Sequence, residues 1–302
     1  MYIYWIDLEL FLIRVISDIP LASEMLIFLE EKPQKQWSAT INIYIYSYKK
    51  YSSLNFPANT YREKAMKSGI YLGHHSGKPA KLYIEDKENI HLCAEDYNRV
   101  FWSYLIKYIL TVFCLENRML HLKAGAVEFE ENIYLIMGRG GSGKTEIIKA
   151  MCNNGGTFIT NTHAIIKANK IMGLSTNIRV REDDKQKYYM PNQLFPQNAI
   201  GTWKKVDKIL WINHRNDGEI RVKKLKIGDL FYNIKQFSEA IANWELHEDI
   251  YDYYGSDPIG VSTAINDIDK NIMALISATD NYYVNADIFS EDGFRKLINL
   301  IK

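Results

Sequence analysis

The residues best placed to do chemistry form one octapeptide, Gly-Arg-Gly-Gly-Ser-Gly-Lys-Thr, which ends at Thr145. It fits the phosphate-binding pattern G-x-x-x-x-G-K-[ST] in full. Glycines let backbone N–H groups wrap a phosphate, and the N-terminus of a following helix attracts anions. We expect Lys144 to reach the β- and γ-phosphates of a nucleotide and Thr145 to hold Mg²⁺. The predicted phosphate contacts are Gly138, Arg139, Gly140, Gly141, Ser142, Gly143, Lys144 and Thr145.

The segments on either side of the octapeptide supply the context that the motif requires. Ile133–Met137 has the composition of a short buried strand, and Glu146–Cys152 has that of a helix. A strand, a glycine-rich loop and a helix, in that order, make a phosphate-binding loop. The alternative is a glycine-rich turn that binds nothing, and the agreement of pattern and context favours the phosphate site.

The second half of the chain alternates strands and helices, which predicts an α/β fold. The strand candidates are His121–Phe129, Ile133–Met137, Thr157–Thr160, Ala164–Lys167, Lys208–Ile212 and Tyr282–Asn285. The helix candidates are Thr145–Cys152, Ile227–Phe237, Thr263–Thr279 and Glu291–Ile301.

The first half predicts a separate, smaller α+β domain. Ile41–Tyr48 alternates isoleucine and tyrosine with a period of two, which is typical of a half-buried strand. Its tyrosine row could stack on bases or grip a peptide, but such a row more often covers one face of a sheet. Tyr97–Leu115 has apolar residues at helical spacing, which favours a core helix joining two domains over a membrane-surface helix. We therefore expect domains at 1–116 and 117–302.

Composition and charge narrow the possible partners. The chain has 302 residues, is 47% hydrophobic and 24% charged, and carries a formal net charge of +1. This charge provides no global basic field for nucleic acid. The start lacks the basic region of a signal peptide, and no uncharged apolar span approaches the roughly 20 residues that cross a bilayer. Three cysteines without metal-ligand spacing indicate reduced thiols. We expect a cytoplasmic protein that binds neither nucleic acid nor membrane.

The order of these features resembles the HPr kinase/phosphorylase-like family, whose core is akin to phosphoenolpyruvate carboxykinase. The resemblance covers roughly Leu120 to Lys302. The phosphate loop ends Gly143-Lys-Thr-Glu146, similar to the family's G-K-S-E. Other segments that look like family strands or turns are Ala124-Gly-Ala-Val127, Glu130-Glu-Asn132, Asn154-Gly-Gly-Thr-Phe-Ile-Thr160, Val206-Asp-Lys-Ile-Leu-Trp-Ile-Asn213, Arg221-Val-Lys-Lys-Leu225 and Asn281-Tyr-Tyr-Val-Asn-Ala-Asp287. The resemblance implies an HPr kinase-like/PEP carboxykinase-like P-loop domain after the smaller α+β domain.

Three positions depart from the pattern of that family. The family has two acidic residues after the strand that follows the phosphate-loop helix, where they serve the metal and the attacking hydroxyl; Asn161 and Thr162 stand there. Neither takes a proton as a carboxylate does, nor holds Mg²⁺ with a charge. The family's histidine before the loop corresponds by spacing to Lys123, and His121 lies two residues earlier on the same strand face. Phosphate binding is expected to be intact while the acid–base set is altered.

Other residues are candidates to replace the missing carboxylates. His163 directly follows the altered pair and is the first candidate base, with His121 as the second; the alternative for His163 is a histidine at the surface or the edge of the core. A neutral imidazole accepts a proton near neutral pH. Charge stabilisation and Mg²⁺ binding are assigned to Lys123, Arg139, Lys144, Thr145 and Glu146.

Two further clusters are weaker candidates for a site. The His74-His75 pair has no carboxylate or cysteine at ligand spacing, so a loop is favoured over a metal site. The mixed-charge stretch from Arg179 to Lys187 is typical of a solvated loop. In the related kinases this region approaches the phosphates, and Asp183 and Asp184 within it could supply carboxylates.

Two functions remain open from the sequence. One is a kinase that uses ATP or GTP with Mg²⁺ to phosphorylate a hydroxyl of a peptide, protein or small molecule, and the intact Lys-Thr-Glu favours it. The other is a nucleotide-binding, catalytically silent regulatory or assembly subunit, which the lost acidic pair favours. The sequence leaves a homo-oligomer open.

Overall fold

The structure, a computed structural model, describes residues 1–21, 27–37, 39–56, 63–67, 79–95, 100–182, 185–214, 220–242, 250–251, 254, 257–286 and 291–301. The chain forms two compact units, Met1–Ile109 with Ser175–Met190, and Leu110–Leu174 with Pro191–Lys302. Strands and helices occur in both units, so the fold is mixed α/β. The independent domain at 1–116 stays a prediction.

The first unit is built on one six-stranded sheet. Its elements are β1 Tyr2–Asp7, β2 Leu12–Ser17, β3 Thr40–Ile45, helix α1 Tyr48–Ser53, β4 Glu63–Lys67, β5 Pro79–Ile84 and β6 Asn89–Ala94. The strand order is β1-β2-β3-β6-β5-β4. Strands β2, β3 and β6 run parallel, and the outer pairs are antiparallel.

The alternating segment forms the strand that its pattern predicts, but the strand is shorter. Alternate residues of β3 are buried, including Ile43 and Ile45. The strand ends at Ile45 because the Ser47 hydroxyl accepts a hydrogen bond from the Lys50 N–H and caps helix α1. The Tyr44 ring stacks on His91 at 4.8 Å between ring centroids. The tyrosine row therefore contacts its own sheet.

The second unit begins inside a long helix. A π-helical turn, Phe101–Leu105, leads into helix α2, Ile106–Glu116, and the units divide at Ile109 within it. The following elements are β7 Leu120–Lys123, β8 Gly125–Phe129, β9 Asn132–Met137, α3 Lys144–Asn153, β10 Thr157–Thr160, β11 His163–Lys167 and β12 Lys170–Gly173. The antiparallel hairpin β13 Ile178–Glu182 and β14 Lys185–Tyr189 belongs to the first unit. The second unit resumes with α4 Pro191–Leu194, β15 Lys204–Lys205, β16 Lys208–His214, β17 Arg221–Lys224, α5 Ile227–Lys235, α6 Glu239–Ala242, α7 Pro258–Ser277, β18 Asp280–Ala286 and α8 Glu291–Ile301.

A central sheet with the order β10-β8-β9-β16-β18-β17 carries the loop Gly138–Gly143, which we call the phosphate loop after its predicted ligand. Strands β9, β16 and β18 run parallel, while β8 and β17 are antiparallel to their neighbours. Helix α3 packs on β8 through buried Ile147, Ile148 and Met151. A side chain at Gly125 of β8 would collide with Ile148, so glycine permits this close packing.

A second sheet with the order β15-β12-β11-β7 lies in the same unit. The predicted strand His121–Phe129 is wrong as one element: the chain breaks at Ala124, whose N–H bonds the Leu122 carbonyl at 3.0 Å. Its first part, β7, pairs with β11 in the second sheet, and its second part joins the central sheet. The break thus separates His121 and Lys123 from the sheet that holds the loop.

Helix α7 has the capping residues expected at its N-terminus, and helix α8 has the apolar stripe expected of its buried face. Helix α7 begins earlier than predicted because Pro258 occupies its first turn and the Asp257 carboxylate caps the N–H groups of Ile259 and Gly260. Helix α8 buries the stripe of Phe294, Leu297, Ile298 and Ile301. No helix of the described ranges has both the length and the apolar character needed to cross a bilayer.

Several predictions made from the sequence fall outside the described residues. These are His74 and His75, and the acidic pair Asp183 and Asp184. Within the described parts of the chain, no group of three or more His, Cys, Asp or Glu residues gathers to hold a metal ion.

Candidate functional site

The octapeptide lies between the end of β9 and the start of α3. Gly141 and Gly143 have φ values of 76° and 85°, a left-handed backbone that glycine adopts at little cost. Gly138 has φ 149°, and a Cβ atom there would collide with the Ile212 carbonyl oxygen and with the Ser142 hydroxyl. The loop is therefore held close to the end of β16, and its shape requires glycine.

Lys144 folds back over the loop. Its ammonium donates to the carbonyl oxygens of Gly138 at 2.7 Å and Arg139 at 2.9 Å. Burial first, and then the charge of Lys123, lower the pKa of Lys144 to about 8. The cation is thus kept at the loop, where phosphate oxygens could replace the two carbonyls.

The Ser142 hydroxyl is a buried polar group that suits an anionic ligand. Ser142 is 6% exposed, and its Oγ has no hydrogen-bond partner among the residues that the structure describes. A buried hydroxyl without a partner is unfavourable. A phosphate oxygen would supply that partner, so the loop fits a phosphate group.

Thr145 and Glu146 open helix α3 and offer oxygen atoms suited to Mg²⁺. The Thr145 hydroxyl donates to the Asn161 amide oxygen at 3.2 Å. Glu146 is half-exposed and lies 3.7 Å from Lys149 on the same helix. The structure therefore brings the altered position 161 directly beside the loop threonine.

The two candidate bases lie side by side in the second sheet. His121 and His163 are 2% and 6% exposed, and their Nε2 and Nδ1 atoms are 3.0 Å apart, within hydrogen-bonding distance. The other nitrogen of His121, Nδ1, hydrogen-bonds the Thr111 hydroxyl of α2 at 2.9 Å. The Thr160 hydroxyl donates to the backbone carbonyl of His163. Both rings belong to one buried polar chain that begins at Thr111.

Lys123 connects the second sheet to the loop electrostatically. It pairs with His163 in the β7–β11 register, and its N–H donates to the Phe237 carbonyl at 2.9 Å. Its side chain is exposed, and its charge contributes to the lowered pKa of Lys144. The charge of Lys123 therefore disfavours the ammonium form of Lys144.

The remaining predicted site residues belong to the loop itself or to the hairpin of the first unit. Arg139 and Gly140 are exposed on the loop. Arg179 and Lys187 are exposed on the hairpin of the first unit, and their approach to a phosphate stays a prediction. Sequence reasoning missed Thr111, because a threonine inside an apolar helix gives no signal of a polar partner.

Comparison with known proteins adds little to this geometry. The chain matches no protein-family model and no curated protein. Among solved structures 55 chains match; one is the Hpr(Ser) kinase/phosphatase from Coxiella burnetii, with 14% sequence identity and a TM-score of 0.25. That match covers 35% of this chain and 77% of the other. A likeness at this level carries no argument about activity, which has to come from the site.

Proposed function

We propose that this chain binds ATP or GTP with Mg²⁺ at Gly138–Thr145 and transfers the terminal phosphoryl group to a hydroxyl of a peptide, protein or small molecule. The observation that carries the proposal is the phosphate loop itself. Its left-handed glycines, the helix that starts at Lys144 and the ammonium folded across the loop together suit a triphosphate. The proposed activity is HPr kinase-like, and the proposed compartment is the cytoplasm.

The chain's own residues supply charge and position. A loose phosphoryl-transfer transition state is stabilised mainly by correct positioning of the reactants and by groups that neutralise its charge. Lys144 and Lys123 provide positive charge, and the backbone N–H groups of the loop orient the phosphates. Thr145 and Glu146 would hold Mg²⁺, which would neutralise charge on the β- and γ-phosphates.

The sequence predicts that His163 removes the proton from the acceptor hydroxyl and that Lys123 assists charge stabilisation. That role requires a nitrogen of the His163 ring with a free electron pair facing the acceptor. Because Nδ1 bonds His121, only Nε2 could serve as this base. The assignment therefore depends on which nitrogen of His163 carries the proton.

The second candidate function is a nucleotide-binding, catalytically silent regulatory or assembly subunit. One contact favours it: the neutral amide of Asn161 bonds the Thr145 hydroxyl at the place where the related kinases have an acid. A neutral oxygen holds Mg²⁺ more weakly than a carboxylate does. Such a subunit would bind nucleotide without turnover.

Calorimetry and a turnover assay separate the two functions. Wild type should bind Mg²⁺-ATP or Mg²⁺-GTP, Lys144→Ala should not, and Lys170→Ala, which changes an exposed lysine of β12, should bind like wild type. Transfer of labelled γ-phosphate to an acceptor or to water then tests for chemistry. Turnover by wild type supports the kinase. Binding without turnover, with turnover gained in Asn161→Asp, supports the silent subunit, and equal binding by Lys144→Ala contradicts the site.

A further inference from the structure

Three side chains of the first unit form a hydrogen-bonded line that the proposed nucleotide site does not use. The Tyr46 hydroxyl lies 3.2 Å from Nδ1 of His91, and Nε2 of His91 lies 2.9 Å from a carboxylate oxygen of Glu85. Tyr46 directly follows strand β3, His91 lies within β6, and Glu85 directly follows β5. A hydroxyl, an imidazole and a carboxylate in this order form an arrangement that activates a nucleophile.

The carboxylate fixes the direction of the protons along this line. An ionised carboxylate only accepts hydrogen bonds, so Nε2 of His91 donates to Glu85. Nδ1 of a neutral His91 is then the acceptor, and the Tyr46 hydroxyl donates to it. This direction holds whatever else Glu85 contacts, because an ionised carboxylate has no proton to donate. Tyr46 therefore has a base within reach of its proton.

Tyr46 needs such a base in order to react. The pKa of Tyr46 is raised to about 12, by burial first and then by the charges of Tyr44, Asp18 and Glu85. The phenolate is therefore scarce near neutral pH, so a reaction at the hydroxyl oxygen requires a group that takes its proton as the new bond forms. Tyr46 is half-buried, so the protein does not enclose it fully.

The neighbouring tyrosine, Tyr44, has similar surroundings but a different hydroxyl position. Its ring stacks on the buried ring of His91, with 4.8 Å between the ring centroids. The rings of Tyr44 and Tyr46 are nearly parallel, with 6° between their planes and 6.4 Å between their centroids. Of these two tyrosines, Tyr46 is the one whose hydroxyl bonds Nδ1 of His91. Tyr44 is therefore a matched control for the effect of the base.

We propose that Tyr46 is a modification site whose hydroxyl accepts a phosphoryl group, with His91 as the general base and Glu85 as the residue that positions His91. The phosphoryl donor rests on the proposed function and is the nucleotide held by a second copy of the chain. Tyr46 Oη attacks the terminal phosphorus, and its proton passes to Nδ1 of His91. The bond from that phosphorus to the bridging oxygen breaks, and the nucleoside diphosphate leaves with the electron pair. Glu85 balances the charge of the imidazolium that forms.

An acceptor with its own base suits the proposed nucleotide site. The residue beside the loop threonine is Asn161, whose amide oxygen accepts a hydrogen bond from the Thr145 hydroxyl. A neutral amide is not a base that takes up the proton of a hydroxyl. In the proposed reaction His91 takes that proton on the acceptor copy, so the phosphate loop of the donor copy has only to hold and orient the nucleotide.

Phosphoryl transfer between two distinguishable copies tests the site. Wild type provides the nucleotide site, and an isotopically heavy Lys144→Ala chain provides the acceptor; both are incubated with Mg²⁺-ATP and digested for mass spectrometry. We expect phosphate on Tyr46 of the heavy chain and only background on Tyr44. Two further changes in the heavy chain should each lower this labelling by roughly 10²–10⁴-fold. His91→Gln keeps a hydrogen-bonding side chain without a base, and His91→Phe keeps the packed ring.

N-acetylimidazole, which acetylates tyrosine hydroxyls without any nucleotide, tests the activation of Tyr46 separately. The acetyl group passes to Oη and imidazole leaves. We expect faster acetylation at Tyr46 than at Tyr44 in wild type, and His91→Gln should slow Tyr46 by roughly 10²-fold or more. If His91 only packed against the Tyr46 ring, its replacement would expose that ring and speed the reaction.

Nitrogen-15 NMR tests the positioning role of Glu85, whose side chain is 54% exposed and therefore tolerates replacement. The resonances of His91 are assigned by their loss in His91→Gln. Neutral His91 should carry its proton on Nε2 in wild type. Glu85→Ala removes the acceptor of that proton, so the proton should move toward Nδ1 and the acetylation of Tyr46 should slow. A merely structural role of Glu85 would leave the tautomer unchanged.

Three results overturn the inference. They are nucleotide binding by wild type without phosphate on Tyr46 of the heavy chain, labelling of Tyr46 that persists in both His91 variants, and acetylation of Tyr46 that His91→Gln does not slow. If calorimetry shows that wild type binds no nucleotide, the proposed function fails and the phosphoryl donor fails with it. The acetylation rates then still decide whether His91 activates Tyr46.

Discussion

At the scale of single residues, the lowered pKa of Lys144 would couple the proposed nucleotide binding to protonation. The Lys144 ammonium lies partly buried beneath two carbonyl oxygens, and burial with the charge of Lys123 lowers its pKa to about 8. A bound triphosphate favours the ammonium and so raises that pKa again. The free protein therefore loses this cation at a pH where the complex still holds it.

We predict that nucleotide affinity depends on pH with a midpoint near the pKa of Lys144. Below pH 8 the free protein already carries the ammonium, so affinity is flat. Above pH 8 each bound nucleotide must bring a proton with it, and affinity falls by about tenfold per pH unit. Calorimetric titration between pH 6.5 and 9.5, in buffers of different ionisation enthalpy, measures both the affinity and the proton uptake.

A Lys123 variant tests whether the charge of Lys123 contributes to this pH dependence. Lys123→Gln removes the second contribution to the lowered pKa of Lys144, so the midpoint should move to higher pH, while burial keeps it below 10.5. Lys170→Gln changes an exposed lysine of β12 and should leave the midpoint where it is. An unchanged midpoint in Lys123→Gln would show that Lys123 does not act on the loop.

At the scale of the elements, the loop between β9 and α3 owes its shape to one close approach. Gly138 lies against the Ile212 carbonyl at the end of β16 and against Ser142. Neither the carbonyl nor the loop backbone can move without disturbing a strand. The parallel strands β9 and β16 thus fix where the phosphate loop begins.

We predict that Gly138→Ala destabilises the chain and abolishes nucleotide binding. A side chain in this sparsely populated backbone region costs roughly 1–3 kcal/mol, and the collision with the Ile212 carbonyl adds to it. Gly140→Ala is the matched control, because a Cβ atom there would meet nothing within 4 Å and its stability should change by less than about 0.5 kcal/mol. Urea unfolding compares the two variants. Equal midpoints for Gly138→Ala and wild type would contradict the close approach.

At the scale of the whole molecule, the chain is two compact units with interleaved segments. The loop, Lys123 and the histidine pair all belong to the second unit, Leu110–Leu174 with Pro191–Lys302. The hairpin Ile178–Glu182 and Lys185–Tyr189 lies between those two segments in sequence but belongs to the first unit. Removal of residues 1–116 would therefore delete the rest of the unit to which that hairpin belongs.

We predict that ligand binding stabilises the second unit by mass action. A nucleotide at 100 times its dissociation constant should add about 2.7 kcal/mol to the free energy of unfolding of the unit that binds it. Hydrogen exchange with Mg²⁺-ATP should slow at the amides of the loop and of α3, and Lys144→Ala should show no such change. Slowed exchange that persists in Lys144→Ala would place the ligand elsewhere.

The strand, loop and helix around the proposed phosphate site could be predicted from the sequence because they are contiguous. Strand, loop and helix follow one another at Ile133–Met137, Gly138–Gly143 and Lys144–Asn153, so local pattern determines the local geometry. The strand His121–Phe129 could not be divided correctly, because both parts are apolar and the break at Ala124 depends on pairing with two different sheets. The strand at Ile41 was predicted too long because its alternating pattern continues to Tyr48, whereas Ser47 caps a helix that begins there.

By itself the sequence determined the glycine-rich loop between a strand and a helix, the apolar faces that bury those flanking elements, and the absence of acids at positions 161 and 162, since each depends on residue type and near spacing. Only the tertiary structure decided which distant residues meet. Thr111 and His121 are 10 residues apart and His163 lies 42 residues beyond His121, yet these residues of one helix and two strands form one line of hydrogen bonds. Buried polar groups must find partners wherever the fold places them, so their pairing follows from packing and not from periodicity. The contact between Asn161 and the Thr145 hydroxyl arises in the same way.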